Sequence, residues 1–247
     1  MKRERLDQLL VERGLAENRT RAQALVLAGE VFSGEKRLDK PGTPLDPALP
    51  LEVRSRQPAW VSRGALKLLH GLDHFGIDPT DRVALDVGAS TGGFTEVLLK
   101  KGAKRVYAVD VGYGQLHVKL RHDPRVVVLE RLNARYLERE HVPEAPSLVV
   151  CDASFIALHQ VLDRALDLAA PGAEVVALIK PQFEVGRGEV GKGGVVRDAA
   201  QHRQVCESVA AWLDEAKGWE VRGVTPSPVL GPKGNREFLI AATKPAA

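Results

Sequence analysis

Asp86 lies in an apolar run, Val83-Ala84-Leu85-Asp86-Val87, that leads into Gly88-Ala89-Ser90-Thr91-Gly92-Gly93-Phe94. This reads as a strand, a glycine-rich turn and the start of a helix, the place where open α/β sheets bind nucleotides. The next apolar run, Arg105–Val109, ends in Asp110, about 20 residues on, where a carboxylate can accept both hydroxyls of a ribose. The spacing Gly88-x-x-x-Gly92-Gly93 is not a dinucleotide fingerprint, and no G-x-x-x-x-G-K-[ST] phosphate loop occurs. An acid inside the strand, with no phosphate to neutralise, fits a site for S-adenosylmethionine, with Asp86 near the cationic amino-acid end. The candidate contacts are Asp86, Gly88, Ala89, Ser90, Gly92, Gly93, Phe94, Asp110 and Val111. Asn133, just after the third strand, would either meet the adenine edge or cap a loop. A turn carrying glycines only for packing is the plainer alternative.

Two more predicted strands end in ionisable residues: Leu148–Cys151 is followed by Asp152, and Val175–Ile179 by Lys180. Strand ends of a parallel sheet face one edge, so both residues should border the cofactor crevice. Glu237 joins them if the last strand, Glu237–Ala242, runs antiparallel. Upstream, Trp60-Val-Ser-Arg63-Gly-Ala-Leu-Lys67 opens a helix with Leu66, Leu69 and Leu72 on its buried side, leaving Lys67 to point elsewhere. Two lysines and two carboxylates could equally form a surface salt-bridge network.

The elements that must position these residues alternate. Predicted strands at Val83–Val87, Arg105–Val109, Val126–Leu129, Leu148–Cys151, Val175–Ile179, Glu220–Thr225 and Glu237–Ala242 are separated by helical stretches. Among the latter are Phe94–Lys101, Leu158–Ala169 and Ala199–Ala216. Apolar strands alternating with helices read as a mainly parallel α/β sheet covered on both faces. Before residue 54 the chain differs. Glu4–Arg13 carries Leu6, Leu9 and Leu10 at helical spacing and stops at Gly14, and a second helix follows Asn18, a capping candidate, and ends at Gly29. Short strands follow at Glu30–Ser33 and Leu49–Arg54. The 247 residues thus suit a small module and a larger domain. With 44% hydrophobic and 27% charged residues the chain is an ordinary globular one, which argues against extended disorder. Two cysteines, Cys151 and Cys206, exclude a disulfide framework. No signal-like apolar segment and no run of the ~20 residues a membrane span needs are present, so a cytoplasmic protein without a membrane partner is expected.

The order Lys67, Asp152, Lys180, Glu237 around the glycine loop resembles the K-D-K-E tetrad of FtsJ-type RNA 2′-O-methyltransferases. The front module is similar to an S4 RNA-binding domain in Arg5-Leu-Asp-x-Leu-Leu-Val-x-Arg13-Gly-Leu, Asn18-Arg19-x-Arg21-Ala-x-Ala-Leu and Gly29-x-Val31. With Ser62-Arg-Gly-Ala-Leu-Lys67-Leu, Asp152-Ala-Ser-Phe-Ile and Lys180-Pro-Gln-Phe-Glu184, the whole chain resembles the TlyA family. Phe32-Ser-Gly34 departs from the family's usual Val-Asn-Gly. The resemblance implies a class I S-adenosylmethionine-dependent methyltransferase domain, Rossmann-like, with seven strands of which the last is antiparallel. It spans residues 61–247, after an α+β S4-like domain (1–54) and a linker (55–60). The implied activity is 2′-O-methylation of cytidine in ribosomal RNA, with ribosomal RNA or subunits as partner. A ribose hydroxyl must lose or share its proton before it attacks, so the site needs alignment and a base. A lysine beside a second cation and partly desolvated can serve as that base. Lys180 is the candidate, oriented by Asp152, with Lys67 and Glu237 holding the hydroxyl and the amines.

Arg5, Arg13, Arg19, Arg21, Lys36, Arg37 and Lys40 are the candidate RNA contacts. Residues 1–60 hold 11 basic and 9 acidic side chains, so binding must depend on clustering rather than net charge. The glycine-rich stretch Glu184–Arg197, with Arg187 and Lys192, reads as a mobile loop that closes over an RNA backbone or simply connects. His70 with His74, and His202 with Cys206, have helical metal-ligand spacing but no third ligand, and no metal is assigned. Two rivals remain: a ribosome-binding assembly factor with a vestigial cofactor site, and a membrane-active haemolysin, a label some family members bear. The missing signal, span and long cationic amphipathic helix argue against the second.

Overall fold

The computed structural model describes residues 3–54, 60–186, 188, 190–191 and 193–246. The chain divides into two units, Met1–Pro58 and Ala59–Ala247. Residues 55–59 of the expected linker, and Arg187 and Lys192 of the glycine-rich stretch, lie outside the described residues.

The first unit contains β1 (Glu4–Arg5), α1 (Leu6–Glu12), α2 (Arg19–Leu27), β2 (Val31–Ser33), β3 (Lys36–Arg37), β4 (Pro44–Leu45) and β5 (Glu52–Val53). Helical spacing predicts α1 from Glu4, but Glu4 and Arg5 pair antiparallel with Leu45 and Pro44. The helix begins at Leu6 because its first free donors find backbone partners: Leu6 N–H donates to Thr43 O, and Asp7 N–H to Pro41 O. Asn18 caps α2 as expected, its side chain accepting from Arg21 N–H at 2.9 Å. Leu6, Leu10, Ala22, Leu25, Val26 and Val31 form this unit's own core.

The second unit runs α3 (Gly64–Phe75), β6 (Val83–Val87), α4 (Gly93–Lys100), β7 (Arg105–Asp110), α5 (Val118–Arg121), β8 (Val126–Glu130), β9 (Leu148–Cys151), α6 (Leu158–Val161), α7 (Asp163–Leu168), β10 (Glu174–Ile179), α8 (Pro181–Glu184), α9 (Ala199–Ala211), β11 (Glu220–Pro226) and β12 (Phe238–Thr243). The sheet order is β11-β12-β10-β9-β6-β7-β8. Strands β6 to β10 pair in parallel, and β12 is antiparallel to both its neighbours. The chain winds outward from β6 through β7 to β8, then crosses to β9. The ends of β6 and β9 therefore form the switch point where such sheets bind ligands.

Alternating strand residues feed two cores. Leu85, Val87, Tyr107, Val109, Val149, Cys151 and Ile179 pack with α6, α7 and α9. Ala84, Val106, Ala108, Val150, Val176 and Leu178 pack with α3 and α4. Three expectations need correction. Leu66 is 46% exposed, and the buried face of α3 is Ala65, Leu68, Leu72 and Phe75, together with Lys67. The cause is Gly71, which lets α3 lie directly on the sheet, where an added Cβ would come within 3.0 Å of Val176. The stretch Leu158–Ala169 breaks at Leu162 into α6 and α7, and Ala199–Ala216 changes from α to π geometry at Trp212.

Candidate active site

Lys67, Asp152, Lys180 and Glu237, separated by up to 170 residues, meet at one sheet edge. Register explains it: Ile179 at the end of β10 pairs with Phe238 at the start of antiparallel β12, so Lys180 and Glu237 leave the sheet side by side. Asp152 follows β9, its N–H still donating to Val87 O. α3, lying across β10 and β12, carries Lys67 to the same edge. Lys67 Nζ donates to Glu237 Oε2 at 2.5 Å and lies 3.9 Å from Asp152 Oδ2. Lys180 Nζ is 2.6 Å from Asp152 Oδ1 and donates to Ser154 Oγ at 2.8 Å and Asp152 O at 3.1 Å. The two lysines and Glu237 are buried, while Asp152 is half-buried. Two cations and two anions balance, which is what makes this density of buried charge tolerable. The expectation that Lys67 would point away from the buried side gives way to burial against Glu237.

A cavity of about 430 Å³ opens at the switch point beside this cluster. Val87, Val109, Val111 and Leu132 give it apolar walls, and Asp110, Asn133 and Gln115 add polar groups. Asp110 is fixed by two backbone donors, Ser90 N–H at 2.8 Å and Gly112 N–H at 2.7 Å. Asn133 lines the cavity and also caps, accepting from Arg135 N–H at 3.1 Å. Asp86 does not line it. Its carboxylate is fully buried, accepts from Thr95 Oγ1 at 2.6 Å through Oδ2, and leaves Oδ1 without a partner among the described residues. Burial, with Asp152 and Asp110 nearby, pushes the Asp86 carboxyl up to about 7. Asp110 and Asp152 on the cavity wall, with Asp86 buried behind them, favour a ligand carrying positive charge and disfavour one carrying phosphate. S-adenosylmethionine, with its sulfonium and ammonium, fits.

The glycines of this turn answer to packing as well as to the cavities. Gly88 (φ +81°) lines the cavity, and a Cβ there would fall 2.8 Å from Ala153 Cα. At Gly92 (φ +98°) it would meet Leu120 at 2.3 Å, and at Gly93 it would meet Ser62 Oγ at 2.1 Å. Gly92 therefore packs the turn against α5 and lines neither cavity, whereas Gly93 seats the start of α3 on α4. A second cavity of about 430 Å³, lined by Ala89, Gly93, Phe94, Lys67, Lys180 and Gly231 among others, adjoins the first. The two share Gly88, Ser90, Asp152 and Ser154. Two adjoining cavities that meet at a charged tetrad offer a layout suited to group transfer.

Sequence reasoning assigns no role to Ser154, which binds Lys180, or to Gly231, whose Cβ would lie 2.1 Å from Glu237 Oε1. Both contacts are made through the fold, and only the run Asp152-Ala-Ser-Phe-Ile hints at the first. Phe155, 89% exposed with φ +69°, lines the first cavity and faces Phe183 at 5.1 Å.

In the first unit, Arg5 and Arg19 converge on one acid. Asp7, fully buried, accepts from Arg5 Nε and Nη2, from Arg19 Nε (each 3.0 Å) and from Gln23 Nε2 at 2.9 Å. The Arg5 hydrogen bond holds the Asp7 carboxyl well below the usual carboxylate range. Arg13 donates instead to the carbonyls of Leu49 and Pro47. Lys36, Arg37 and Lys40 are exposed, and Arg21 is half-buried on α2. Among the described residues no helix is long and apolar enough to cross a membrane, and no three potential ligands are grouped to hold a metal.

The FtsJ-like methyltransferase family matches residues 60–244, and the S4 domain family matches residues 4–48. The 16S/23S rRNA (cytidine-2′-O)-methyltransferase TlyA of Mycobacterium tuberculosis is 49% identical over 97% of this chain and 89% of its own. Hemolysin A of Brachyspira hyodysenteriae is 39% identical over 95% of this chain and 98% of its own. A solved protein from Streptococcus thermophilus, described only as a candidate hemolysin, is 43% identical. It aligns with a TM-score of 0.74 over 99% of this chain and 90% of that one. The chain belongs to the TlyA family: an S4 domain followed by an FtsJ-like methyltransferase.

Proposed function

We propose that this enzyme transfers a methyl group from S-adenosylmethionine to the 2′-hydroxyl of a cytidine in ribosomal RNA, in the cytosol. The observation that carries the reading is the shared wall: the cofactor cavity and the cleft holding Lys67 and Lys180 meet at Asp152. The substrate is carried over from the relative at 49% identity. Asp110, Gly88, Ser90, Val111 and Asn133 would hold the cofactor, which supplies a methyl group already electrophilic on a cationic sulfur.

The protein's share is alignment and a base. Lys180, its ammonium proton first released to water, takes the proton of the hydroxyl as a neutral amine. Asp152 fixes its direction, and Ser154, whose hydroxyl donates as well as accepts, can hold the amine in either protonation state. Lys67, clamped by Glu237, stands 3.9 Å from Asp152 and supplies a cation beside the oxygen as negative charge develops on it. Arg5 and Arg19, held as a pair by Asp7, with Lys36, Arg37, Lys40, Arg21 and Arg13, present the RNA-binding face of the S4 domain.

Digestion of the treated RNA to nucleosides tests the reading. The expected product is 2′-O-methylcytidine. A methyl group found on a base, with none on ribose, overturns the assignment.

A further inference from the structure

The carboxylate of Glu237 is presented by a turn that one buried amide holds in place. Asn235, 3% exposed, uses every polar atom of its side chain. Its Oδ1 accepts from Val196 N–H at 3.2 Å, and its Nδ2 donates to Gly194 O at 2.9 Å and Pro232 O at 3.2 Å. Its backbone carbonyl accepts from Gly231 N–H at 2.9 Å. Gly194 and Val196 belong to the glycine-rich segment, whereas Gly231 and Pro232 belong to the turn that runs into Glu237. His202 fastens the same segment to α9: its Nε2 lies 3.0 Å from Val196 O, and its ring meets Phe238 edge-on at 5.5 Å. Val195 and Val196 are buried there.

The turn in its own right sits on the tetrad. Gly231 lies so close to Glu237 Oε1 that a Cβ would approach within 2.1 Å, and Leu230, Gly231 and Pro232 line the substrate cleft. A shift of this turn by a fraction of an ångström therefore displaces the Lys67–Glu237 pair and reshapes the cleft. We propose that Asn235 is a positioning residue that joins the glycine-rich segment to the tetrad. Docking of residues 193–197 and placement of Glu237 beside Lys67 are then a single event. The proposal rests on the reading that Glu237 serves methyl transfer, and it assigns the glycine-rich stretch a role that neither RNA closure nor mere connection covers.

The test uses the full-length protein with Asn235→Ala, Asn235→Ser and Glu237→Gln. Single-turnover methyl transfer at saturating RNA, S-adenosylhomocysteine binding by calorimetry and hydrogen exchange of residues 193–197 are measured on each. Small displacements of catalytic groups cost up to about a hundredfold, so Asn235→Ala should slow turnover by about ten- to a hundredfold. Exchange in 193–197 should quicken while S-adenosylhomocysteine affinity holds, because Asn235 does not line the cofactor cavity. Asn235→Ser keeps one hydroxyl that can donate or accept in place of the amide, and should fall between Asn235→Ala and the native protein. If Asn235→Ala does not fold, Asn235→Ser supplies the same readings. Unchanged turnover in the Asn235 variants beside an inactive Glu237→Gln overturns the proposal. So does slowed turnover without faster exchange in 193–197, or with a matching loss of S-adenosylhomocysteine binding. Full activity in Glu237→Gln would instead sink the underlying reading of the tetrad, while the exchange result still reports whether Asn235 holds the segment.

Discussion

Replacing Lys180 separates the electrostatic work of this residue from its chemical work. Its amine is 2.6 Å from Asp152 Oδ1, and the nearest other cation, Lys67, is 3.9 Å from that carboxylate and already committed to Glu237 at 2.5 Å. Breaking a buried pair costs about 3–5 kcal/mol. Water can reach Asp152, whose side chain is 21% exposed, so Lys180→Ala belongs at the low end, about 3 kcal/mol. Loss of a general base costs ~10²–10⁴ in rate, equivalent to roughly 3–5 kcal/mol of barrier. A domain with a stability of about 5–15 kcal/mol remains folded after the first loss, so unfolding cannot account for the second. Lys180→Ala should therefore melt several degrees lower, bind S-adenosylhomocysteine normally and fail in single-turnover methyl transfer. Lys180→Arg is the decisive companion: it restores a cation beside Asp152 but cannot give up its proton. It should recover stability and remain inactive. Near-native single-turnover rates in Lys180→Arg would refute the base assignment and leave Lys180 as a counter-ion alone.

Other perturbations address separate parts of the molecule. Burial raises the Asp86 carboxyl from 3.8 to about 7, so its ionisation opposes folding: the penalty is absent below the unfolded value and complete above about pH 7. The native protein should lose up to roughly 4 kcal/mol of unfolding free energy from this group between about pH 4 and 8, and Asp86→Asn should flatten that slope in denaturant titrations. Parallel pH profiles would contradict it. Asp7→Asn should release Arg5 and Arg19 from their shared anchor, weaken RNA binding and lower the salt slope by about 1 for each phosphate that is no longer neutralised. S-adenosylhomocysteine binding should not change, and an undiminished RNA affinity would show that the paired guanidiniums do not meet the RNA. Gly93→Ala, which drives a Cβ into Ser62, should lower the melting temperature more than it weakens S-adenosylhomocysteine binding.

The tetrad is legible in the sequence because each member except Lys67 sits where a strand ends or begins, and a parallel sheet brings such ends to one edge. One topological assumption, an antiparallel last strand, is enough to add Glu237. Spacing places Lys67 in the right helix but on the wrong face: the leucines point to Leu66, whereas contact with the sheet through Gly71 rotates Ala65, Leu68 and Leu72 inward. The glycine turn reads as a ligand loop and its residues Gly88, Ala89 and Ser90 line the cavities, yet Gly92 and Gly93 answer to side chains of α5 and to Ser62, which no local pattern reveals. Asp7 does carry a local signal, a carboxylate on the apolar side of α1 one turn from Leu10. Asn235 carries none, since its partners in the glycine-rich segment lie about 40 residues upstream.

Ribose methylation of ribosomal RNA is tested most directly by transfer of labelled methyl from S-adenosylmethionine to separated 30S and 50S subunits, and to their naked RNAs, taken from a strain lacking the enzyme. The expected result is label on RNA, at a cytidine whose 3′ linkage then resists alkaline cleavage. Binding of S-adenosylmethionine with no label on any of these RNAs would contradict it and leave a ribosome-binding factor with an idle cofactor site.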